Sequence, residues 1–222
     1  MQRITILTPT IGSEHLTRCV NSVSEQKIPL ATELRHLLVI DGRDYIQNTL
    51  DILKKSNGYY ARIASLIDNT GKNKWNGHRI YAHYSQLIDC DYLALLDEDN
   101  DINQNHIASL LPIAKQHGYA YSKRKLYNKQ GNYLGVDNFE STGKPNKFGY
   151  TLIDTNCWML RRDHIHHLFH FDWQWLGDRM FTKHMQSIKH DLTLACTGQA
   201  TVNYYVPDNT LKFYKDNLAC GY

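Results

Sequence analysis

The chain has 222 residues, enough to bury a sizeable core, and its 42% apolar and 21% charged residues are ordinary for a globular protein. Its net charge of +3 comes from scattered basic residues, which gives no reason to expect a nucleic-acid partner. The amino-terminal apolar run is too short for a signal peptide, and no run is long enough to span a membrane. Five cysteines without C-x-x-C spacing indicate reduced thiols. We therefore expect a cytoplasmic protein.

The first half of the chain alternates strand and helix patterns. Short apolar or β-branched runs predict strands, and apolar residues three or four positions apart predict helices. Such alternation is typical of a parallel sheet with right-handed crossovers. The predicted strands are residues 3–7, 34–40, 62–67 and 92–96, and the predicted helices are residues 14–26, 45–56, 77–88 and 103–117.

The second half is less regular. Its polar, Gly- and Pro-containing segment 137–149 predicts a mobile loop or the boundary of a small subdomain. The segment 207–222 carries no assignment. The predicted strands are residues 119–127, 133–136, 150–160, 192–196 and 201–206, and the predicted helix is residues 175–188.

The most informative stretch is 92–101, in which an apolar run ends in Asp97-Glu98-Asp99-Asn100-Asp101. Several carboxylates at the end of a buried strand repel one another unless a cation or hydrogen-bond donors compensate for them. The stretch therefore predicts either a divalent-metal and phosphate site or a solvated turn in which one Asp caps the next helix. We expect Glu98 to point away from the other acids and Asp101 to lie at the helix start.

Two earlier loops are expected at the same edge of the sheet. Thr8-Pro9-Thr10 follows the first predicted strand and Asp41-Gly42 follows the second, and ligands bind at the carboxyl ends of parallel strands. Asp41 could accept from a base N–H there, although Asp41-Gly42 also fits a simple turn. Neither G-x-G-x-x-G nor G-x-x-x-x-G-K-[ST] is present, which disfavours nicotinamide chemistry and P-loop hydrolysis. A cation on Asp99 could instead hold a nucleotide diphosphate, and Mg²⁺ and Mn²⁺ favour such oxygen ligands.

In this order, the motifs at residues 4–10, 21–26, 38–42, 77–79 and 92–100 resemble the nucleotide-binding half of family-2 glycosyltransferases with a GT-A fold. The resemblance implies an α/β fold with a Rossmann-like, mostly parallel central sheet flanked by helices and a smaller acceptor-side region. It implies a single domain over residues 1–222, with residues 1–101 as the nucleotide-binding half and residues 102–222 as the acceptor-binding half.

The resemblance also implies roles for individual residues. Asp41 would bind the base, and the Thr8-Pro9-Thr10 loop would also contact the nucleotide-sugar. Asp97 would contact ribose or sugar, and Asp99 would hold Mn²⁺ or Mg²⁺. Arg79 approximately matches a family arginine, although the usual Arg-Asn pair is replaced here by Arg79-Ile80.

For the second half, the resemblance implies an acceptor site and a catalytic base. The family commonly places Glu-Asp in a helix after an aromatic, glycine-containing turn, and this chain has Gly177-Asp178 there. Asp178 is therefore the predicted base, with helix capping as the structural alternative. Asn156 is predicted to hydrogen-bond the donor sugar. Trp173 and Trp175 fit either an acceptor platform or core packing.

Two further clusters have open interpretations. The basic run Lys123-Arg124-Lys125 would face either a diphosphate or anionic acceptor, or solvent as one side of a hairpin. The histidines at residues 164–170 invite a zinc interpretation, but their spacing does not match a closed tetrahedral set. A late histidine ligand for the metal, such as His184 or His190, is left open.

Together with these observations, the resemblance implies a metal-dependent, inverting glycosyltransferase that uses a nucleotide-sugar, preferentially a UDP-sugar, in glycan or polysaccharide synthesis. Its acceptor would be a glycan, lipid-linked or other hydroxyl compound, with peripheral membrane association as an option. One alternative is a nucleotidyltransferase of similar fold, although the loop after the first strand has one Gly and no nearby Lys. Another is a non-catalytic carbohydrate-binding module, which the Gly at position 177 leaves open.

Overall fold

The computed structural model describes residues 1–56, 60–189 and 191–219. Within them, nine strands form one curled sheet flanked by helices, which confirms the predicted α/β class. The strands are β1 (Gln2–Thr10), β2 (Thr32–Ile40), β3 (Arg62–Ser65), β4 (Tyr92–Leu95), β5 (Asp101–Ile102), β6 (Tyr119–Tyr127), β7 (Tyr133–Val136), β8 (Trp158–Arg161) and β9 (Cys196–Tyr205). The α-helices are α1 (Leu16–Ser24), α2 (Ile46–Lys54), α3 (His78–His83), α4 (His106–His117), α5 (Gly177–Lys189) and α6 (Asp208–Ala219).

The sheet order is β3-β2-β1-β4-β8-β6-β9-β5, with β7 paired to β6. The four strands of the first half are parallel, as the alternating pattern predicted. β8 lies between β4 and β6 and is antiparallel to both. The amino end of β8 therefore reaches the edge at which β1, β2 and β4 end, and this edge forms the candidate site.

β1 extends beyond the predicted end at Leu7. Pro9 pairs with Val39 and Thr10 pairs with Ile40, so the prediction that the first strand ends at residue 7 is wrong. The pairing of β1 with β4 stops at Leu7, and among the described strands β2 alone pairs with β1 beyond that point. A proline is tolerated there because one side of the strand needs no hydrogen-bond donor.

A buried aromatic cluster fastens α5 to the sheet. The ring centroids of Phe181 and Phe171 lie 4.8 Å apart, and those of Phe181 and Trp158 lie 5.1 Å apart. All three side chains are fully buried, and packed aromatic pairs add stability beyond their buried area. The start of α5 is consequently held over the site edge of the sheet.

Several predicted elements of the second half differ from the structure. Only the end of the predicted strand 150–160 is a strand, because its earlier part bonds to the preceding loop, with Ser141 donating to the carbonyl of Leu152. The predicted strand 192–196 is mostly a 3-10 helix, and α6 carried no assignment. Asp101 lies in β5 rather than at a helix start, and α4 begins five residues later. The other 3-10 helices are Arg43–Tyr45, Tyr84–Leu87, Thr155–Cys157 and Arg162–Phe171.

The described cysteines are not joined by disulfides: Cys19, Cys90, Cys157 and Cys196 are free thiols. Cys220 and His190 lie outside the described residues. Of the helices in the described ranges, none combines the length and the apolar character that crossing a membrane requires.

Candidate active site

A cleft of about 550 Å³ opens where β1, β2 and β4 end. Of the predicted site residues, Pro9, Thr10, Asp41, Asp97, Asp99 and Asp178 line it. The structure therefore brings together, from three strand ends and one helix, residues that are up to 169 positions apart in sequence. The remaining lining residues are Ile11, Asn69, Gly71, Lys72, Asn76, Gly77, His78, Glu98, Asn100, Asp154, Thr155, Trp175 and Tyr204.

Asp97 is held rigidly at the end of β4. Its Oδ1 accepts from the Tyr81 hydroxyl at 2.8 Å, and its Oδ2 accepts from Nδ2 of Asn156 at 3.0 Å. Burial, followed by the charges of Asp99 and Asp154, raises the pKa of Asp97 to about 8. This carboxylate is therefore destabilised in its ionised form until a cation or a donor approaches it.

Asp99 lies two residues further along, and its residue is exposed. Nδ2 of Asn100 donates to its Oδ1 at 2.8 Å. Although the residue as a whole is exposed, the surrounding cleft partly desolvates the carboxylate, and this, followed by the charge of Glu98, raises the pKa of Asp99. Behind the segment, Arg18 donates to the backbone carbonyl of Asp99 and lies 3.3 Å from Oδ2 of Asp101. The backbone that presents Asp99 is thus braced from α1.

Glu98 lines the cleft as well, and its carboxylate bonds to the loop that follows β1. Its Oε2 accepts from the Thr10 hydroxyl and from the backbone N–H of Ser13 at 3.2 Å, and its Oε1 accepts from the N–H of Ile11 at 3.3 Å. The carboxylate therefore closes the loop that follows β1. Sequence alternation could not identify this role, because the donors lie more than 80 residues away.

Asp41 is buried at the end of β2, and both of its oxygens are engaged. Oδ1 accepts from the backbone N–H and hydroxyl of Thr70, at 2.7 and 2.9 Å, and Oδ2 accepts from the N–H of Gly71 at 2.8 Å. In this state, Asp41 fastens the loop that leads from β3 to α3. A role for Asp41 in binding the base stays a prediction.

Asp178 lies in the first turn of α5 and lines the cleft with Asp97 and Asp99. Burial, followed by the charge of Asp154, raises its pKa to about 7. The backbone N–H of Arg179 donates to its Oδ1 at 2.7 Å. A carboxylate with a pKa near neutrality is suited to accept a proton at physiological pH.

The glycine before Asp178 has a steric explanation. A Cβ at Gly177 would lie 2.6 Å from Nδ1 of His78 and 2.6 Å from the carbonyl oxygen of Phe171. Nδ1 of His78 donates to the backbone carbonyls of Trp173 (3.1 Å) and Gln174. The position therefore excludes the glutamate that the resemblance leads one to expect, because α3 contacts α5 too closely there.

A buried ion cluster lies behind the part of the cleft that residues 102–222 contribute. The guanidinium of Arg124 donates to Asp137 at 2.7 Å, to Glu140 and Asp154, and to the Tyr214 hydroxyl at 2.9 Å. Both open interpretations of the run Lys123-Arg124-Lys125 are thus wrong for Arg124, which is 1% exposed. Asp154 also accepts from Nδ2 of Asn156 at 2.8 Å, so one amide joins the cluster to Asp97.

Three predicted nucleotide-sugar residues lie outside the cleft lining. Thr8 is fully buried, with its hydroxyl 3.0 Å from Nε2 of His36. Asn156 is fully buried between Asp97 and Asp154, so it positions carboxylates rather than facing a sugar in this state. The guanidinium of Arg79 stacks 3.7 Å above the ring of Trp75 and is turned toward Asp172.

Both predicted platform residues are on the surface. Trp173 is 51% exposed and Trp175 is 53% exposed, which excludes core packing for them. Trp175 alone of the two lines the cleft, and the guanidinium of Arg179 lies 5.5 Å from its ring. Trp175 thus lines the same cleft as Asp178, and its role as an acceptor platform stays a prediction.

The charges of the cleft suit a divalent cation. Six carboxylates line it, against a single Lys or Arg among the described residues, Lys72. In the described ranges, no group of three or more His, Cys, Asp or Glu could hold a metal ion. A Mg²⁺ or Mn²⁺ ion in this cleft would have to share one or two carboxylates with ligand phosphates and water. The six carboxylates are Asp41, Asp97, Glu98, Asp99, Asp154 and Asp178.

The histidines of residues 164–170 form a stacked surface cluster with α5. Nε2 of His184 lies 3.0 Å from Nδ1 of His167, and the rings of His184 and His170 stack at 3.6 Å. Burial, followed by the neighbouring imidazoles, lowers the pKa of His167 to about 4. Neither His167 nor His184 lines the cleft.

The comparisons with solved structures identify the fold. The S. aureus TarS structure matches with a TM-score of 0.60 and 16% sequence identity, over 93% of this chain and 37% of the TarS chain. TarS 1-349 in complex with UDP-GlcNAc matches with a TM-score of 0.61 and 18% identity, over 94% of this chain and 59% of that chain. The complex of TarS 1-349 with UDP matches with a TM-score of 0.60 and 16% identity, over 93% of this chain and 61% of that chain. At these identities, the likeness supports the GT-A-like fold.

This chain spans less than two thirds of the length of each of these TarS structures. No protein-family model matches the chain, and no curated protein matches it.

Proposed function

We propose that this protein is a metal-dependent, family-2-like glycosyltransferase that moves a sugar from a UDP-sugar to an acceptor hydroxyl with inversion. The observation that carries the proposal is the placement of Asp178, a carboxylate with a pKa near 7, in the same cleft as Asp97 and Asp99. The likeness to TarS, solved with UDP-GlcNAc and with UDP, supports a uracil nucleotide as donor. We further propose that the reaction serves glycan or polysaccharide synthesis.

In the proposed reaction, Asp178 accepts the proton of the acceptor hydroxyl as its oxygen attacks the anomeric carbon. The bond between that carbon and the β-phosphate oxygen breaks, and its electron pair stays on the departing UDP. A bound Mg²⁺ or Mn²⁺, held by Asp99, would offset negative charge on the leaving diphosphate. Asp97, kept in one orientation by Tyr81 and Asn156, would bind ribose or sugar. A single displacement on the face opposite the leaving group inverts the configuration.

The nucleotidyltransferase alternative is disfavoured by the loop after β1. Phosphate-binding loops present free backbone N–H groups to the anion. In this protein, the N–H groups of Ile11 and Ser13 donate to the Glu98 carboxylate instead. A triphosphate in that place would meet a negative charge.

UDP binding is the first test of the proposal. Isothermal titration with Mn²⁺ present should give an affinity at least about tenfold higher than in EDTA, because the cation neutralises a cleft rich in carboxylates. The Asp99→Asn protein should lose this difference. The control is Asp44→Asn, an exposed acid outside the cleft lining, which should retain it. Equal UDP affinity of the unsubstituted protein in Mn²⁺ and in EDTA would contradict the metal role.

The second test is the pH dependence of transfer. Asp178 must be ionised to act as a base, and its pKa in the folded protein is raised to about 7. We expect kcat/KM to rise about tenfold per pH unit below pH 7 and to level off above it, since this parameter reports the free enzyme. Initial rates between pH 5.5 and 8.5, with circular dichroism to verify folding at each pH, measure this. A flat profile over that range would argue against Asp178 as the base.

A further inference from the structure

The loop that connects β3 to α3 is fixed to the floor of the cleft. Asp41 accepts three hydrogen bonds from Thr70 and Gly71, and the N–H of Asn76 donates to the carbonyl of Gly71 at 3.1 Å. Lys72 directly follows the residue that Asp41 holds. Its backbone is therefore placed by a buried carboxylate rather than left to a free loop.

Two glycines bring this loop into close contact with its surroundings. A Cβ at Gly71 would lie 2.5 Å from the carbonyl oxygen of Asn76 and 2.9 Å from Oδ2 of Asp41. A Cβ at Gly77 would lie 2.7 Å from Cγ of Pro9, at the end of β1. At both Gly71 and Gly77, the loop thus packs so closely that no larger residue fits.

Lys72 is the only Lys or Arg of the described chain that lines the cleft, and it is exposed. No carboxylate of the described residues lies within ion-pairing distance of its ammonium, although six line the same cleft. Lys74, two residues later, is also exposed but lies outside the lining. The ammonium of Lys72 is consequently available to an anion that enters the cleft.

We propose that Lys72 binds the diphosphate of the nucleotide-sugar and takes up the charge that appears when the sugar leaves; this rests on the proposed function. The diphosphate carries two negative charges while the sugar is attached and gains a third when the bond to the anomeric carbon breaks. A divalent cation balances two of these charges. Lys72 supplies the third positive charge from the loop that Asp41 holds at the end of β2, whereas Asp99 follows β4.

The experiment compares three ligands and three variants in the presence of Mn²⁺. Titrations of UDP, UMP and uridine are carried out with the unsubstituted protein, Lys72→Met, Lys72→Arg and the matched control Lys74→Met. We expect Lys72→Met to lower the affinity for UDP about tenfold to a hundredfold, the usual range for a hydrogen bond to a charged group. The affinity for uridine should stay unchanged. Lys72→Arg should restore much of the UDP affinity, and Lys74→Met should bind all three ligands normally.

Unchanged UDP affinity of Lys72→Met would overturn the inference. Equal weakening of UDP and uridine would overturn it as well, because this would indicate damage to the loop rather than loss of a phosphate contact. If the unsubstituted protein binds neither UDP nor a UDP-sugar in Mn²⁺, the proposed function itself fails. The titration of the unsubstituted protein therefore separates failure of the function from failure of the role of Lys72.

Discussion

Asp178→Asn is expected to lower the rate of sugar transfer by about a hundredfold to ten-thousandfold while leaving UDP binding intact, since a positioned general base contributes a factor of that size. The amide keeps the shape of the side chain and can still accept from the N–H of Arg179. It cannot take the acceptor proton. Steady-state rates together with UDP titration separate the two effects.

The matched control for this substitution is Asp172→Asn. Asp172 precedes α5 on the surface and contacts Arg79 and His83 rather than the cleft. Its substitution should leave transfer within about twofold of the unsubstituted rate. Transfer by Asp178→Asn at the normal rate would exclude Asp178 as the base and would leave the cleft without an identified one.

The same substitution should stabilise the ligand-free protein. The pKa of Asp178 is raised on folding, so the folded state binds more protons than the unfolded state, and stability falls as pH rises from about 4 to 7. Replacing the carboxyl by a neutral amide removes this penalty. We expect a gain on the order of 2 kcal/mol at pH 8, measured by urea unfolding without ligand.

Arg124→Met is expected to destabilise the folded protein by about 3–5 kcal/mol, the usual cost of removing one partner from a buried ion pair. The substitution leaves Asp137, Glu140 and Asp154 without their common donor in the protein interior. Mutual repulsion would then separate β6 from the loop 137–154. Urea unfolding monitored by circular dichroism gives the loss directly.

The neighbouring Lys125 provides the control for this prediction. It is half-buried in the same strand and lies outside the carboxylate cluster, so Lys125→Met should change the stability by no more than about 0.5 kcal/mol. The stability loss of Arg124→Lys should lie between those of Arg124→Met and Lys125→Met, because lysine keeps the positive charge but lacks the planar guanidinium group. A loss below about 1 kcal/mol in Arg124→Met would show that the cluster is unimportant for folding.

The first half of the chain was predictable because its signals are local. The apolar runs of β2 and β4 determine the parallel strands, and the polar residues that follow them reach one edge of the sheet by topology alone. Asp97, Asp99 and Asp41 could thus be placed in one cleft before any coordinate was known. The prediction of Asp178 as the base depended on the resemblance, since nothing in the local sequence pattern distinguishes a catalytic base from a helix cap.

The remaining features depend on partners that are distant in sequence. Three consecutive basic residues on a strand predict a solvent-exposed surface. Arg124 is buried because Asp137, Glu140 and Asp154 all form ion pairs with it. Position 177 has a glycine instead of the expected glutamate because the His78 ring occupies the space that a larger side chain would need. Asn156 carried a signal for a polar role, but its neighbours Asp97 and Asp154 decide what that role is.

The reversed direction of β8 determines how the two halves of the chain meet at the cleft. Asp154 and Thr155 reach the cleft just before a strand begins, whereas Asp41 and Asp97 reach it where strands end. The two halves of the chain thus contribute to the cleft through different kinds of segment. The amide of Asn156 joins them, because it donates to Asp97 in the first half and to Asp154 in the second, so a substitution at Asn156 would remove a hydrogen bond from both carboxylates.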